Sequence, residues 1–320
     1  MKIGALVVGL GRVGMGYDLQ DQSDTHVRSH ARAFSTHPAF QLLGGADVAR
    51  DARETFTRCY GTPAFEYVDV ALERLRPEIV AIAVPTALHA VTIRAVLRHS
   101  GIRAICCEKP LSDNLSEAQA MVQVCEDRRV PLFVNYMRRS DPGVIEIKRR
   151  LDEGEICGPI KGVAWYSKGL IHNGSHVINL LEFWLGDVLD VRVIAGGRLW
   201  DGRDPEPNLF LTFVRGTVVL MAATEECFSH LSVEIIACNG RLRYDSGGRR
   251  IDWQPTHGDP QFAGYTTLAQ TEQIESGLSR YQWHVANELS RSLAGSEANV
   301  CSGAQALRTL ETIHLSLAHL

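Results

Sequence analysis

Over residues 1–136, short apolar runs alternate with stretches whose apolar positions recur at helical spacing. IGALVV, QLLGGAD, EIVAIAV, IRAICC and PLFVNY read as strands, and HAVTIRAVLRH between two of them carries the period of a helix. That alternation predicts an α/β fold, a doubly wound parallel sheet covered by helices on both faces. The pattern then changes. After the helix-like VIEIKRRLDEG, the strand candidates GVAWYSK, VRVIAGG, NLFLTFV, TVVLMAATE, SVEIIAC and RLRYDS follow closely. Arg215-Gly216 and Asn239-Gly240 break these runs, and Asn-Gly is a strong short hairpin signal. A second, α+β domain with a large, mostly antiparallel sheet is expected over 137–320, joined to the doubly wound domain over 1–136. Residues 256–279 read as a long irregular connection. Ser302 and Gln305 are spaced as a capping box before a final helix, ALRTLETIHLSLAHL, which is expected to pack back on the first domain.

Composition narrows the class. A chain of 320 residues suits about two domains, and 45% hydrophobic with 22% charged residues is ordinary for a globular protein. The net charge of -4 is spread without runs of one sign, which leaves no electrostatic footprint for nucleic acid or an anionic membrane. The expected partner is a small molecule. MKIGALVVGLG is short, broken by glycine and followed by no small-residue cleavage site, and no later run is long enough to span a bilayer, so a cytoplasmic location is expected. The eight cysteines (Cys59, Cys106, Cys107, Cys125, Cys157, Cys227, Cys238 and Cys301) show no C-x-x-C spacing and read as reduced, mostly buried thiols.

Gly9, Gly11 and Gly14 form G-x-G-x-x-G directly after the first strand candidate, with Arg12 and Val13 inside the turn. Glycines there permit a tight turn and close approach, so that a pyrophosphate can sit at the positive end of the next helix. A glycine-rich turn that merely packs helix on strand leaves the same trace. The second strand candidate ends at Asp47, whose carboxylate suits the ribose hydroxyls of NAD and repels a 2′-phosphate. Asp47 lies further from the glycines than the usual roughly 20 residues, and the polar stretch YDLQDQSDTHVRS reads as the insertion responsible. Arg50, three residues on, keeps NADP open.

Two further stretches fall at carboxyl ends of parallel strands, where such sheets bind ligands. Val84 leads into PTALH, which supplies Pro85, Thr86 and His89, and the strand candidate IRAICC runs into Glu108-Lys109-Pro110. The lysine suits either chemistry or an ion pair at the strand end. In GLIHNGSHVINL, His172 and His176 stand four apart, so on a helix they share one face and can grip a metal, pass a proton or fill a polar corner. No third ligand and no H-E-x-x-H glutamate accompany them, so no metal site is expected.

GLGRVG, PTALH, CEKPLS, NYMRR at 135–139 and HNGSHVINLLEFWLG together resemble the Gfo/Idh/MocA oxidoreductases, the family of glucose-fructose oxidoreductase and inositol 2-dehydrogenase, over nearly the whole chain. The resemblance implies a nicotinamide enzyme in which Lys109 holds a substrate hydroxyl beside the cofactor and His176, two residues after Gly174, is the acid/base. His172 stands where the family commonly has Asp, as does Asn179, which leaves open whether His172 shares the proton or contacts an anionic substrate group. Tyr136, Arg138, Arg139 and Asn173 are the further substrate-contacting candidates. The expected reaction moves hydride between NAD(H) and a secondary alcohol or ketone of a sugar, nucleotide sugar or cyclic polyol. Its rivals are an NAD-dependent glycoside hydrolase and a nucleotide-sensing regulator without turnover. NLFLTFV and TVVLMAATE are too apolar for a sheet face open to water, so a homodimer or homotetramer through the C-terminal sheet is expected.

Overall fold

The computed structural model describes residues 2–20, 25–223 and 228–320, so Cys227 and the last two residues of TVVLMAATE lie outside the described residues. The chain divides into two compact units, Met1–Ser140 with Ser279–Leu307 and Asp141–Leu278 with Arg308–Leu320.

The first unit is built on a parallel sheet of β1 (Ile3–Val8), β2 (Phe40–Ala46), β3 (Ala64–Phe65), β4 (Ile79–Ile82), β5 (Ala104–Cys107) and β6 (Leu132–Val134), in the order β3-β2-β1-β4-β5-β6. This is the doubly wound order, with its switch point between β1 and β4. Strands β4 and β5 are buried at every position, as a sheet covered on both faces requires. The crossovers are α1 (His30–Thr36), α2 (Arg50–Tyr60), α3 (Val68–Leu75), α4 (His89–Val96) and α5 (Leu115–Asp127). Asn114 caps α5 by accepting Glu117 N–H at 3.0 Å. A helix from late in the chain, Tyr281–Leu293 (α8), adds Val285, Ala286 and Leu289 to the core that holds Ala5, Val7 and Phe34.

The second unit carries a sheet of nine strands. Six of them are β7 (Ile160–Tyr166), β8 (Val188–Ala195), β11 (Asn208–Phe213), β12 (Gly216–Ala222), β13 (Leu231–Ala237) and β14 (Gly240–Asp245), in the order β14-β13-β7-β12-β11-β8 with β8 at one edge, and a short separate hairpin is formed by β9 (Leu199–Trp200) and β10 (Asp204–Pro205). All pairings are antiparallel except β7 with β12. Its core joins alternate residues of these strands (Ala164, Leu209, Leu220, Ile235) to α6 (Pro142–Asp152), α7 (Ser175–Leu185) and Ile313 of α9 (Gly303–Ala318). Trp184 of α7 is fully buried and donates to Val144 O of α6 at 3.1 Å. Ser302 and Gln305 form the expected capping box, with Ser302 N–H donating to Gln305 Oε1 at 3.0 Å and Gln305 N–H to Ser302 Oγ at 3.2 Å. No helix among the described residues is long and apolar enough to cross a membrane.

Two expectations need correction. Residues 256–279 are not irregular throughout: β15 (Arg250–Gly258) runs into them, and β16 (Thr266–Leu268) and β17 (Glu272–Ile274) pair with it. Both are short edge strands, and β16 is exposed at each position, so they lack the burial pattern that marks a strand in sequence. The two hairpin glycines also do another job than expected. In the β13–β14 hairpin the loop residues are Cys238 and Asn239, and Gly240 opens β14, where a Cβ would lie 2.5 Å from the Trp253 ring. Likewise Gly216 opens β12, where a Cβ would meet Ile160 O at 2.4 Å. Close neighbours, rather than turn dihedrals, require glycine at both.

Candidate functional site

In the first unit the three glycines of the turn after β1 have separable roles. Gly9 has φ +89°, and a Cβ there would lie 2.5 Å from the Ala83 carbonyl at the end of β4. Gly14 lies so close to the strand end that its Cβ would sit 1.9 Å from Gly9 O. Gly11 is different: its Cβ position meets nothing within 4 Å among the described residues. Tight turn, open approach and close helix packing are the three requirements of a pyrophosphate-binding turn, in this order.

The helix that follows is interrupted after one turn. Met15 N–H and Gly16 N–H donate to Gly11 O, after which the helix resumes far along the chain: His30 N–H donates to Val13 O at 3.1 Å and Ala31 N–H to Gly14 O at 2.9 Å. In sequence, residues 17–29 stand between the two parts of this helix, and 21–24 among them lie outside the described residues. Buried Asp18 closes the splice, accepting both Arg28 N–H and Ser29 N–H, and Ser29 Oγ at 2.6 Å. Without those thirteen residues, Asp47 follows Gly14 at about the usual spacing. Asp47 accepts Leu10 N–H at 2.7 Å and Ala49 N–H at 2.8 Å, so the glycine turn itself orients the carboxylate. Arg50 is exposed and pairs with Glu54 at 2.7 Å. Arg53, which sequence reasoning missed, donates to Asp47 O and Val48 O.

His89 is buried, with Nδ1 3.1 Å from Leu111 O and Nε2 3.0 Å from Val84 O. It ties the Val84–Pro85–Thr86 loop to the segment after Lys109. Glu108 receives His30 Nε2 at 2.8 Å and Asn135 Nδ2 at 2.6 Å on one oxygen, and Gln282 bridges Asn135 and His30 at 3.0 Å each. Burial alone would raise the Glu108 carboxyl. The hydrogen bond and charge of His30, the Asn135 amide and the Lys109 charge outweigh it and hold the group below the usual carboxylate range. Lys109, joined to Pro110 by a cis peptide, is half-buried beside this anchored carboxylate. His30, Asn135 and Gln282 were not foreseen, because they come from three distant parts of the chain. Tyr136 and Arg139 are buried, and Arg139 Nη1 lies 3.9 Å from Cys301 Sγ. Arg138 is half-buried, and its Nε and Nη1 are shielded from solvent without a hydrogen-bond partner among the described residues.

In the second unit the two histidines differ in surroundings. Leu170–Gly174 is a π-helical turn, with Gly174 N–H donating to Gly169 O at 3.0 Å, and α7 begins at Ser175. His176 is buried in the first turn of α7, whereas His172 is exposed and stacks on Trp200 at 5.1 Å between ring centroids. Asn173 is half-buried on the same turn. Two carboxylates hold the turn from outside it. Asp204 of β10 accepts Ile171 N–H at 2.9 Å and His172 N–H at 2.8 Å, and fully buried Glu206 accepts Gly169 N–H at 3.1 Å and Arg198 Nε at 2.8 Å. Gly169, at φ +84°, has no room for a Cβ, which would lie 2.1 Å from Asp204 Oδ2. Burial pushes the Asp204 carboxyl up, the Ile171, His172 and Leu170 N–H groups pull it down, and nearby Glu206 raises it again, with a net upward shift. Asn179 turns to α9, donating to Thr309 Oγ1 at 3.0 Å, and Thr309 in turn donates to Glu182. Among the described residues no cluster of three or more His, Cys, Asp or Glu is placed to hold a metal.

Comparison with known proteins follows these lines. Residues 3–136 match the Gfo/Idh/MocA profile, described as an oxidoreductase family with an NAD-binding Rossmann fold. The chain is 28% identical over 150 residues to inositol 2-dehydrogenase of Rhizobium meliloti (strain 1021), covering 47% of this chain and 41% of the relative. It is 30% identical over 161 residues to scyllo-inositol 2-dehydrogenase (NAD(+)) of Bacillus subtilis (strain 168), covering 50% and 43%. The chain thus spans less than half the length of these curated relatives. In three dimensions it is similar to an oxidoreductase from Agrobacterium radiobacter solved with NAD+, L-tartaric acid and magnesium, with TM-score 0.77, 17% identity, and coverage of 100% of this chain and 96% of that one. That likeness establishes the fold.

Proposed function

Because residues 3–136 match the Gfo/Idh/MocA profile, described as an oxidoreductase family with an NAD-binding Rossmann fold, we propose that the chain is an NAD-dependent dehydrogenase. It acts on a secondary alcohol or ketone of a sugar, nucleotide sugar or cyclic polyol. The observation that carries the cofactor assignment is the open face of Gly11 beside an Asp47 carboxylate held by Leu10 N–H of the same turn. Arg12 and Val13 would flank the pyrophosphate, and Val84, Pro85 and Thr86 the nicotinamide side, with His89 and Glu108 holding their loops. Asp47 favours NAD over NADP by repelling a 2′-phosphate, while Arg50 is engaged with Glu54.

The nicotinamide, when bound, accepts or returns hydride. In the oxidation direction Lys109 polarises the substrate hydroxyl and His176 takes its proton. Lys109 suits this role because Glu108 next to it is fixed and ionised through His30 and Asn135. Arg138 offers buried guanidinium nitrogens to a carboxylate or phosphate on the substrate, and Tyr136, Arg139, Asn173 and His172 contribute further contacts. The outer face of the second unit's sheet exposes Val163, Trp165 and Ile236, and Arg192 covers the Phe210 ring at 4.6 Å. We assign that apolar face to a second copy of the chain, giving a homodimer or homotetramer.

The test is a panel of inositols, aldoses and sugar acids with NAD+, followed by NADH formation and product analysis. One NADH per oxidised sugar is expected. Sugar release from a glycoside with no net NADH would replace this reading with the hydrolase, and NAD binding without turnover on any compound would replace it with the sensor.

A further inference from the structure

We propose that Cys157 and Cys238 form a dithiol site that oxidised glutathione, or another low-molecular-weight disulfide, converts to an intramolecular disulfide. The proposal does not depend on the catalytic reading. The two sulfurs lie 2.9 Å apart, although 81 positions separate them in the chain. A disulfide bond is about 2.0 Å long, so bonding requires an approach of roughly an ångström.

The main chain around the pair is already fastened. Cys238 N–H donates to Cys157 O at 3.0 Å, and Cys157 N–H donates to Asn239 Oδ1 at 3.1 Å. Asn239 Nδ2 donates in turn to Glu155 O at 2.7 Å. Just beyond, β7 and β13 pair with Lys161 opposite Ile236. The loop before β7 and the β13–β14 turn are thus held together from both sides, and small side-chain rotations suffice to join the sulfurs. Such preorganisation makes the second exchange step intramolecular, with the high effective concentration that follows.

Access separates this pair from the other cysteines. Cys238 is exposed and Cys157 partly so, whereas Cys106, Cys107, Cys125 and Cys301 are buried. Burial raises the thiols of Cys106, Cys107 and Cys125, the last to about 12. The Cys238 thiol is raised as well, by its hydrogen bond with Cys157, so access rather than thiolate fraction distinguishes the pair. Cys59 is exposed, with no thiol contact among the described residues.

The chemistry is a two-step exchange. One protein thiolate attacks a sulfur of oxidised glutathione, forming a mixed disulfide and expelling a glutathione thiolate. The second protein thiolate then attacks the protein sulfur of that mixed disulfide, and the Cys157–Cys238 bond forms as the second glutathione leaves. Two electrons pass from protein to glutathione, and the two protein thiol protons end on the released glutathiones.

The experiment incubates the full chain with oxidised glutathione, alkylates remaining thiols with iodoacetamide and maps peptides without reduction. The expected result is a Cys157–Cys238 cross-linked peptide, a fall of about tenfold or more in alkylation at both positions, and recovery on adding dithiothreitol. Cys59 should stop at a glutathione adduct. In Cys157→Ser, Cys238 should stop there too, for want of a resolving thiol. Unchanged alkylation of both residues in the unsubstituted chain, or a separate glutathione on each, would overturn the proposal.

Discussion

The glycine turn of the first unit and the histidine turn of the second are both strand-to-helix junctions, made by opposite means. The glycine turn is local: Gly9, Gly11 and Gly14 act by lacking side chains, and its hydrogen bonds from Met15 and Gly16 return to Gly11 O. The histidine turn is assembled from afar, with Asp204 and Glu206 receiving the N–H groups of residues 169, 171 and 172. A junction built by omission leaves no room for added atoms at Gly9 and Gly14. One built with carboxylates stays sensitive to protons.

The largest expected effect is on turnover. On the proposed reading Lys109→Ala removes the charge that stabilises a developing alkoxide and His176→Ala the proton acceptor, so each should lower kcat by about a hundredfold or more. NADH binding, followed by fluorescence titration, should survive both. Near-normal turnover in His176→Ala with a dead His172→Asn would exchange the roles assigned to the histidines.

Next come the glycines. Gly14→Ala forces a Cβ against Gly9 O, where overpacking costs about 1–3 kcal/mol or more. Its melting temperature should fall, whereas Gly11→Ala should fold normally and lose NAD affinity instead. Equal melting losses in both would deny the separation of roles.

A smaller change is expected at the cofactor's ribose. Asp47→Ala should weaken NAD by about tenfold, on the scale of hydrogen bonds to a charged group, and relatively improve NADP. Unaltered preference in competitive titration would remove Asp47 from the site.

The subtlest contrast is in pH. The folded Glu108 carboxyl is held low, so its contribution is present above the unfolded carboxylate pKa and is lost as pH falls through the folded value. Asp204 is shifted upward, which penalises the folded state above its unfolded pKa and relieves the penalty as pH falls through the raised value. On acidification the melting-temperature gap between the unsubstituted chain and Glu108→Gln should therefore narrow, while the gap to Asp204→Asn should widen. Parallel behaviour of the two gaps would mean that the carboxylates are not opposed in this way.

Legibility in the sequence follows the same division. The parallel sheet built on β1, β2, β4, β5 and β6, the glycine turn and the Ser302 capping box rest on neighbours within one element or one crossover, and periodicity and spacing report such neighbours, whereas the two-residue β3 left no trace. His30 was hidden because thirteen inserted residues separate it from the turn it continues. Asp204, Glu206 and Trp200 were hidden for a different reason: no local pattern marks a strand of two residues, and what these side chains touch is set by how the chain folds back. His172 and His176 stand out in the sequence by their spacing, but the π-helical turn that carries the first of them leaves no such mark.

The splice in α1 sets a rule for altering the chain. His30 takes the bond to Val13 O that residue 17 of an unbroken helix would make, and Ala31 takes that of residue 18. Residues 17–29 are thus an in-phase insertion: joining Gly16 directly to His30 would keep every later residue of α1 in its present rotational position. Substitutions confined to positions between 20 and 25 leave that phase untouched, whereas Asp18, Val27 and Ser29, buried at the two described ends of the stretch, cannot change without disturbing the join.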